Sequence, residues 1–167
     1  MSGARHRHEL RTSHARKTRG YASRVSVTLR AATVADRELL RRLLADYLFE
    51  FDGRTEPYPY FDAYWSEPER LPFLIEVEGG PAGLCLIRVR DGGWDIAEFS
   101  ISPANRRAGV GRAAVDAVAA RARQTGAAHL QAKVHPDNSR ALAFWLAVGF
   151  REHERPGSGV IVTRRRL

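Results

Sequence analysis

From Val25 onward, apolar and polar positions recur with periods that mark secondary-structure elements. Val25-Ser26-Val27-Thr28-Leu29-Arg30 alternates apolar and polar, the period of two of a half-buried strand. Leu39, Leu40, Leu43, Leu44 and Tyr47 then recur at helical spacing. Thr33 with Asp36 three residues on has the spacing of a capping box, with Asp for the usual Glu, so a helix is predicted from there to about Phe49. Periodicity lapses over residues 50–71, which Pro57, Pro59 and Pro68 punctuate, and a loop with at most a short helix near Tyr60–Trp65 is predicted. Two apolar runs, Phe73–Glu78 and Ala82–Arg90, flank Gly79-Gly80-Pro81 and predict an antiparallel hairpin. Asp91-Gly92-Gly93 is the next turn, and Trp94–Ile101 the next strand.

Farther along, Ala113–Arg123 reads as a helix with one apolar face, ended by Gly126. His129–Val134 reads as a strand. Asn138 or Ser139 caps a helix over Arg140–Val148, stopped by Gly149. Phe150–Arg155 and Val160–Arg164 form a closing hairpin around Pro156-Gly157-Ser158-Gly159. The order β-α-(α)-β-β-β-α-β-α-β-β predicts an α/β (α+β) protein, a mixed and mostly antiparallel central sheet of six to seven strands flanked by helices.

Composition narrows the class. The chain has 167 residues, 44% of them hydrophobic, which suits one domain with a real core rather than two. No apolar run approaches the ~20 residues of a membrane span, and no apolar stretch follows Met1-Ser2-Gly3-Ala4-Arg5 as in a secretory leader. A cytoplasmic, bacterial protein is expected. The single Cys85 lies in Leu84-Cys85-Leu86-Ile87 and reads as a buried, inert thiol.

The net charge of +8 is unevenly spread. Residues 1–24 hold seven Arg or Lys against Glu9 alone, so residues 25–167 are close to neutral. The expected organisation is a disordered basic tail over 1–24 and one domain over 25–167. Clustered Arg can neutralise phosphates, but a body without basic excess argues against nucleic acid as the partner. His6 and His8 make no metal site without further ligands, and no metal is expected.

The chemistry concentrates after the strand Trp94–Ile101. There Arg106-Arg107-Ala108-Gly109-Val110-Gly111-Arg112 leads into a helix. A helix start offers unpaired N–H groups and the positive end of the dipole. Gly109 and Gly111 let the backbone approach an anion, and Arg106, Arg107 and Arg112 add charge suited to phosphate oxygens. The third Gly of a dinucleotide fingerprint and the Gly-Lys-Ser/Thr of a P-loop are both missing.

With Arg106-x-x-Gly109-x-Gly111 behind the strand end Phe99-Ser100-Ile101-Ser102-Pro103, the chain resembles the GNAT family, the Gcn5-related N-acetyltransferases, and Tyr58-Pro59-Tyr60-Phe61-Asp62-x-Tyr64-Trp65 resembles a bacterial subgroup of it. Asn138-x-x-Ala141-x-x-Phe144-Trp145-x-x-x-Gly149-Phe150 matches a second family element. The resemblance extends over about residues 25–164. It implies acetyl transfer from acetyl-coenzyme A, as co-substrate, to a primary amine of a small molecule or protein. The amides from Arg107 through Ala108, Gly109, Val110 and Gly111 to Arg112 would hold the pyrophosphate. Ile101 N–H would polarise the thioester carbonyl. Asn138, Phe144 and Trp145 would meet the pantetheine arm, and Glu98 would be the general base. Many relatives have Tyr where this chain has Trp145; indole is no useful acid, which keeps a non-catalytic acyl-coenzyme A-binding module open as the alternative. The acids and aromatics of residues 46–69, with Arg54 the one base among them, suit a cationic acceptor. The resemblance also leaves a homodimer open.

Overall fold

The computed structural model describes residues 25–157 and 159–167; the basic tail expected over 1–24 lies outside them. Strand β1 (Val27–Ala31) leads through a 3-10 turn, Val34–Asp36, into α1 (Arg37–Asp52). A short 3-10 turn, Asp62–Trp65, precedes the meander β2 (Arg70–Val77), β3 (Gly80–Arg90) and β4 (Gly93–Ile101). Then come α2 (Val110–Gln124), β5 (His129–Val134), α3 (Ser139–Ala147), β6 (Arg151–Glu154) and β7 (Ile161–Arg166). These seven strands form one sheet in the order β1-β2-β3-β4-β5-β7-β6. Its pairings are antiparallel except β4 with β5.

Each predicted element is present, and the bounds move for local reasons. Ahead of α1, the Thr33 N–H and hydroxyl both donate to Asp36 Oδ2, at 2.8 and 3.0 Å, the side-chain contact the capping spacing implies. Helix α1 runs three residues beyond Phe49, because Gly53, at φ 74°, is the first residue to leave the helical region. The first hairpin turns on Glu78 and Gly79, both at positive φ, one residue earlier than the Gly-Gly-Pro reading.

The sheet has a helix layer on each face. Leu40, Leu44 and Leu48 of α1 pack on Leu74, Leu84 and Leu86. On the other face, Val115, Val118 and Ala122 of α2 cover Phe73, Cys85, Ile87 and Trp94. Leu84-Cys85-Leu86-Ile87 is thus buried on both sides, which explains an unbroken apolar run in a strand. Burial of each such Leu or Val contributes on the order of 1.5–3 kcal/mol. Burial also pushes the Cys85 thiol well above its ordinary range, as expected of an inert cysteine.

One irregularity opens the sheet. β4 pairs with β5 only from Gly93↔His129 to Ile96↔Ala132. Beyond Ile96 the two strands separate, and β4 continues to Ile101 beside β3 alone. The gap widens into a cleft of about 1280 Å³.

Candidate active site

At one end of the cleft lies the glycine-rich loop. Arg107 and Gly109 both take left-handed φ, 63° and 79°, which curls the loop around a concavity. The first bond of α2 runs from Ala113 N–H to the Gly109 carbonyl at 3.1 Å. The N–H groups of Val110, Gly111 and Arg112 therefore lack helical partners and point from the positive end of the helix dipole. A Cβ at Gly109 would meet nothing within 4 Å, whereas one at Gly111 would press on Phe144 Cε2 at 3.0 Å. The loop is thus open beside Gly109 and tight behind Gly111. Arg106, Arg107, Gly109, Gly111 and Arg112 line the cleft; Ala108 and Val110 complete the loop, with Val110 buried under it.

Along the gap, β4 presents free backbone. Ser102 N–H donates to the Ala82 carbonyl of β3 at 2.8 Å. Extended strands alternate, so the N–H groups of Ile101 and Phe99 point the other way, into the gap. Ile101 was singled out from the sequence; Phe99 was not, because its side chain reads as core.

A bulge decides where Glu98 points. The β3 register runs Leu86↔Glu98 and then Ile87↔Ile96, so Ala97 is an extra residue. Before the bulge Trp94 and Ile96 face α2; after it Phe99 and Ile101 keep that face, and Glu98 turns toward α1 with its partner Leu86. There it meets the hydroxyls of Tyr58 and Tyr47. Burial pushes its carboxyl up to about 7, and the Tyr58 hydroxyl, Arg54 and the Tyr47 hydroxyl hold it from going higher. Burial, and the Glu98 charge beside them, raise both phenols above the usual tyrosine range. The sequence marks Tyr58 as a wall aromatic alone, and Tyr47 as that and as part of the α1 stripe. The one sequence signal for Tyr47 is a hydroxyl-bearing ring on the apolar stripe of α1.

The wall over residues 46–69 differs from its sequence reading. Its acids are matched by arginines from several elements: Glu50 by Arg106, Asp52 by Arg54, Asp62 by Arg37 and Glu67 by Arg70. Among the described residues only Asp46, Glu56 and Glu69 of this wall have no such partner. Arg106 is engaged twice over. Its Nε donates to the Ile101 carbonyl at 2.7 Å, and its terminal nitrogens donate to both Glu50 oxygens.

The second motif closes the other side. Asn138 caps α3, its Oδ1 accepting from Ala141 N–H at 2.9 Å, while its residue also lines the cleft. Phe144 stacks on Phe99, with ring centres 5.7 Å apart. Trp145 is buried between Phe99, Phe144 and Phe150, at 5.5, 5.1 and 4.8 Å. It forms cleft wall and core at once.

The model of the acetyltransferase (GNAT) family matches residues 37–150. The chain belongs to that family. Comparison with curated proteins gave no match. Among solved structures, an acetyltransferase from Thermus thermophilus is similar at 25% identity and a TM-score of 0.74, over 86% of this chain and 99% of that one. The ribosomal-protein-S18-alanine N-acetyltransferase of Escherichia coli has 20% identity and a TM-score of 0.62, over 84% and 94%. The PaiA N-acetyltransferase of Thermoplasma acidophilum, solved with coenzyme A, has 12% identity and a TM-score of 0.65, over 85% and 99%. This acetyltransferase-family fold holds the open cradle and the split sheet around one cleft, with half-buried Glu98 on the strand that borders it. No helix among the described residues is long and apolar enough to cross a membrane.

Proposed function

We propose that the protein transfers an acetyl group from acetyl-coenzyme A to a primary amine of a small molecule or protein by direct attack. The observation that carries this reading is Glu98, turned by the Ala97 bulge to the side of the gap away from Phe99 and Ile101 and poised at about 7. A base near neutrality can take the proton of an attacking amine. The curled loop from Arg107 to Arg112 supports a pyrophosphate, and the free edge of β4 supports the pantetheine arm as an added strand. Ile101 N–H stabilises negative charge on the acyl oxygen, with Phe99 N–H directed the same way. Asn138 and Phe144 line the arm's path, and Trp145 backs it. The acceptor meets the wall of α1 and residues 50–69, where Tyr47 and Tyr58 face Glu98 and where, among the described residues, Asp46, Glu56 and Glu69 have no arginine partner. A cationic amine remains the acceptor that this wall favours.

The test is calorimetric titration with acetyl-coenzyme A, beside a variant carrying Gly109→Glu and Gly111→Glu. Micromolar binding by the wild type, abolished in the variant, is expected. An amine screen follows, with Glu98→Gln as control. Absent wild-type binding would overturn the reading. Trp145 in place of an acid favours a second reading, a module that binds acyl-coenzyme A without chemistry; binding without turnover on any amine is its signature.

A further inference from the structure

Breaking the carbon–sulfur bond of a thioester leaves a sulfur that needs a proton, and Trp145 has none to give. Arginines stay charged and donate none either. Setting aside the carboxylates and the much more weakly acidic Ser100 hydroxyl, the side chains lining the cleft with an N–H or O–H proton to hand over are Tyr47, Lys133 and His135. His135 lies beyond the end of β5 in the turn before α3, 57% exposed and 3.6 Å from Asp137. Lys133 is exposed on β5, across the gap from β4. Tyr47 stands on α1 and lines the cleft, as do Ala97, Phe99 and Ser100 of β4. It alone of the three interacts with Glu98.

We infer that Tyr47 is the acid that protonates the departing thiolate, and that Glu98 resupplies it. This rests on the acetyl-transfer reading above. The protons balance within the site. As the nitrogen–carbon bond forms, Glu98 takes one amine proton. As the carbon–sulfur bond breaks, Tyr47 gives its phenolic proton to sulfur, and Glu98 returns the amine proton to Tyr47. The net transfer is one proton from nitrogen to sulfur, with both side chains restored. The direction is downhill overall, because a carboxylic acid poised at about 7 supplies a thiolate whose acid ionises near ~8.5. Tyr47 alone, held above the usual phenol range, is too weak an acid to stay ionised, so the two residues act as a pair.

The test is Tyr47→Phe in the full chain, read two ways. With acetyl-coenzyme A and an accepted amine, kcat is expected to fall about 10²-fold, within the range for loss of a general acid, while the Kd for acetyl-coenzyme A stays within about threefold. Without any amine, the ultraviolet absorbance of the thiolate in bound coenzyme A is followed against pH. The bound thiol is expected to ionise at higher pH in the variant, because the hydroxyl that stabilises the thiolate is gone. Arg121→Gln, on the exposed face of α2 outside the cleft, is expected to change neither readout. An unchanged kcat, or a lowered kcat with an unchanged thiol titration, overturns the inference; the latter assigns Tyr47 to holding Glu98. Loss of both signals in Lys133→Met instead also overturns it. A wild type that binds coenzyme A but acetylates no amine counts against the acetyl-transfer reading, and the thiol titration still reports on Tyr47.

Discussion

Glu50 clasps Arg106 with both carboxylate oxygens, at 2.5 and 2.6 Å, across 56 residues of chain. Through Arg106 Nε the same contact reaches the Ile101 carbonyl, so the end of α1, the end of β4 and the entry to the glycine loop are tied at one guanidinium. The pair is partly exposed, at 25% and 48% for the two side chains, so its contribution to stability is at most about 1 kcal/mol. Its effect on alignment is larger, because small displacements of reacting groups cost rate heavily. Glu50→Ala is expected to leave the melting temperature within a few degrees and to lower kcat/KM about tenfold. Thermal melts beside steady-state kinetics check this; a large loss of stability with unchanged kinetics would refute it.

Glu98 sets the pH dependence. The groups facing it are Tyr47 of α1, Asp52 and Arg54 at the end of that helix and just after it, Tyr58 in the loop and Tyr64 beyond it. The base must be ionised, so kcat/KM is expected to rise with pH through an inflection near 7. In Glu98→Gln the inflection disappears and the rate falls about 10²-fold or more. Stability runs the other way. The folded protein holds this proton more tightly than the unfolded chain does, so stability falls as pH rises from about 4.5 to about 7. Glu98→Gln is therefore expected to stabilise the fold at pH 8 more than at pH 4, measurable by denaturation at both. Equal effects at the two pH values would contradict a half-buried carboxylate whose proton affinity folding raises.

Gly111 separates binding from stability. A methyl group there would sit 3.0 Å from Phe144 Cε2, 3.3 Å from its Cζ and 3.7 Å from Ile101 Cγ1. Phe144 must move toward the gap to make room. Ala is the better helix former by about 1 kcal/mol, which offsets much of the crowding. Gly111→Ala is expected to melt near the wild-type temperature and to bind acetyl-coenzyme A about tenfold more weakly, as calorimetry would report. Unchanged affinity would show that Phe144 does not border the occupied path.

What the sequence determined by itself is what depends on near neighbours. Alternation, helical spacing, caps and turn residues fix each element from a few adjacent side chains, so element order and fold class were legible. The anion cradle was legible for the same reason, since two glycines at a strand-to-helix junction act through local backbone. Tertiary structure decided the rest. Strict alternation from Trp94 and Ile96 would aim Glu98 into the α2 core; the bulge at Ala97 reverses it, and the bulge exists only in register with β3. The acids of residues 46–69 read as a charged wall because two of their arginine partners, Arg37 and Arg106, lie elsewhere in the chain. Tyr47 is one more residue on an apolar stripe until β4 brings Glu98 beneath it. Backbone conformation is set by short-range sterics, whereas charge pairing and proton affinity depend on what folding brings within a few ångströms.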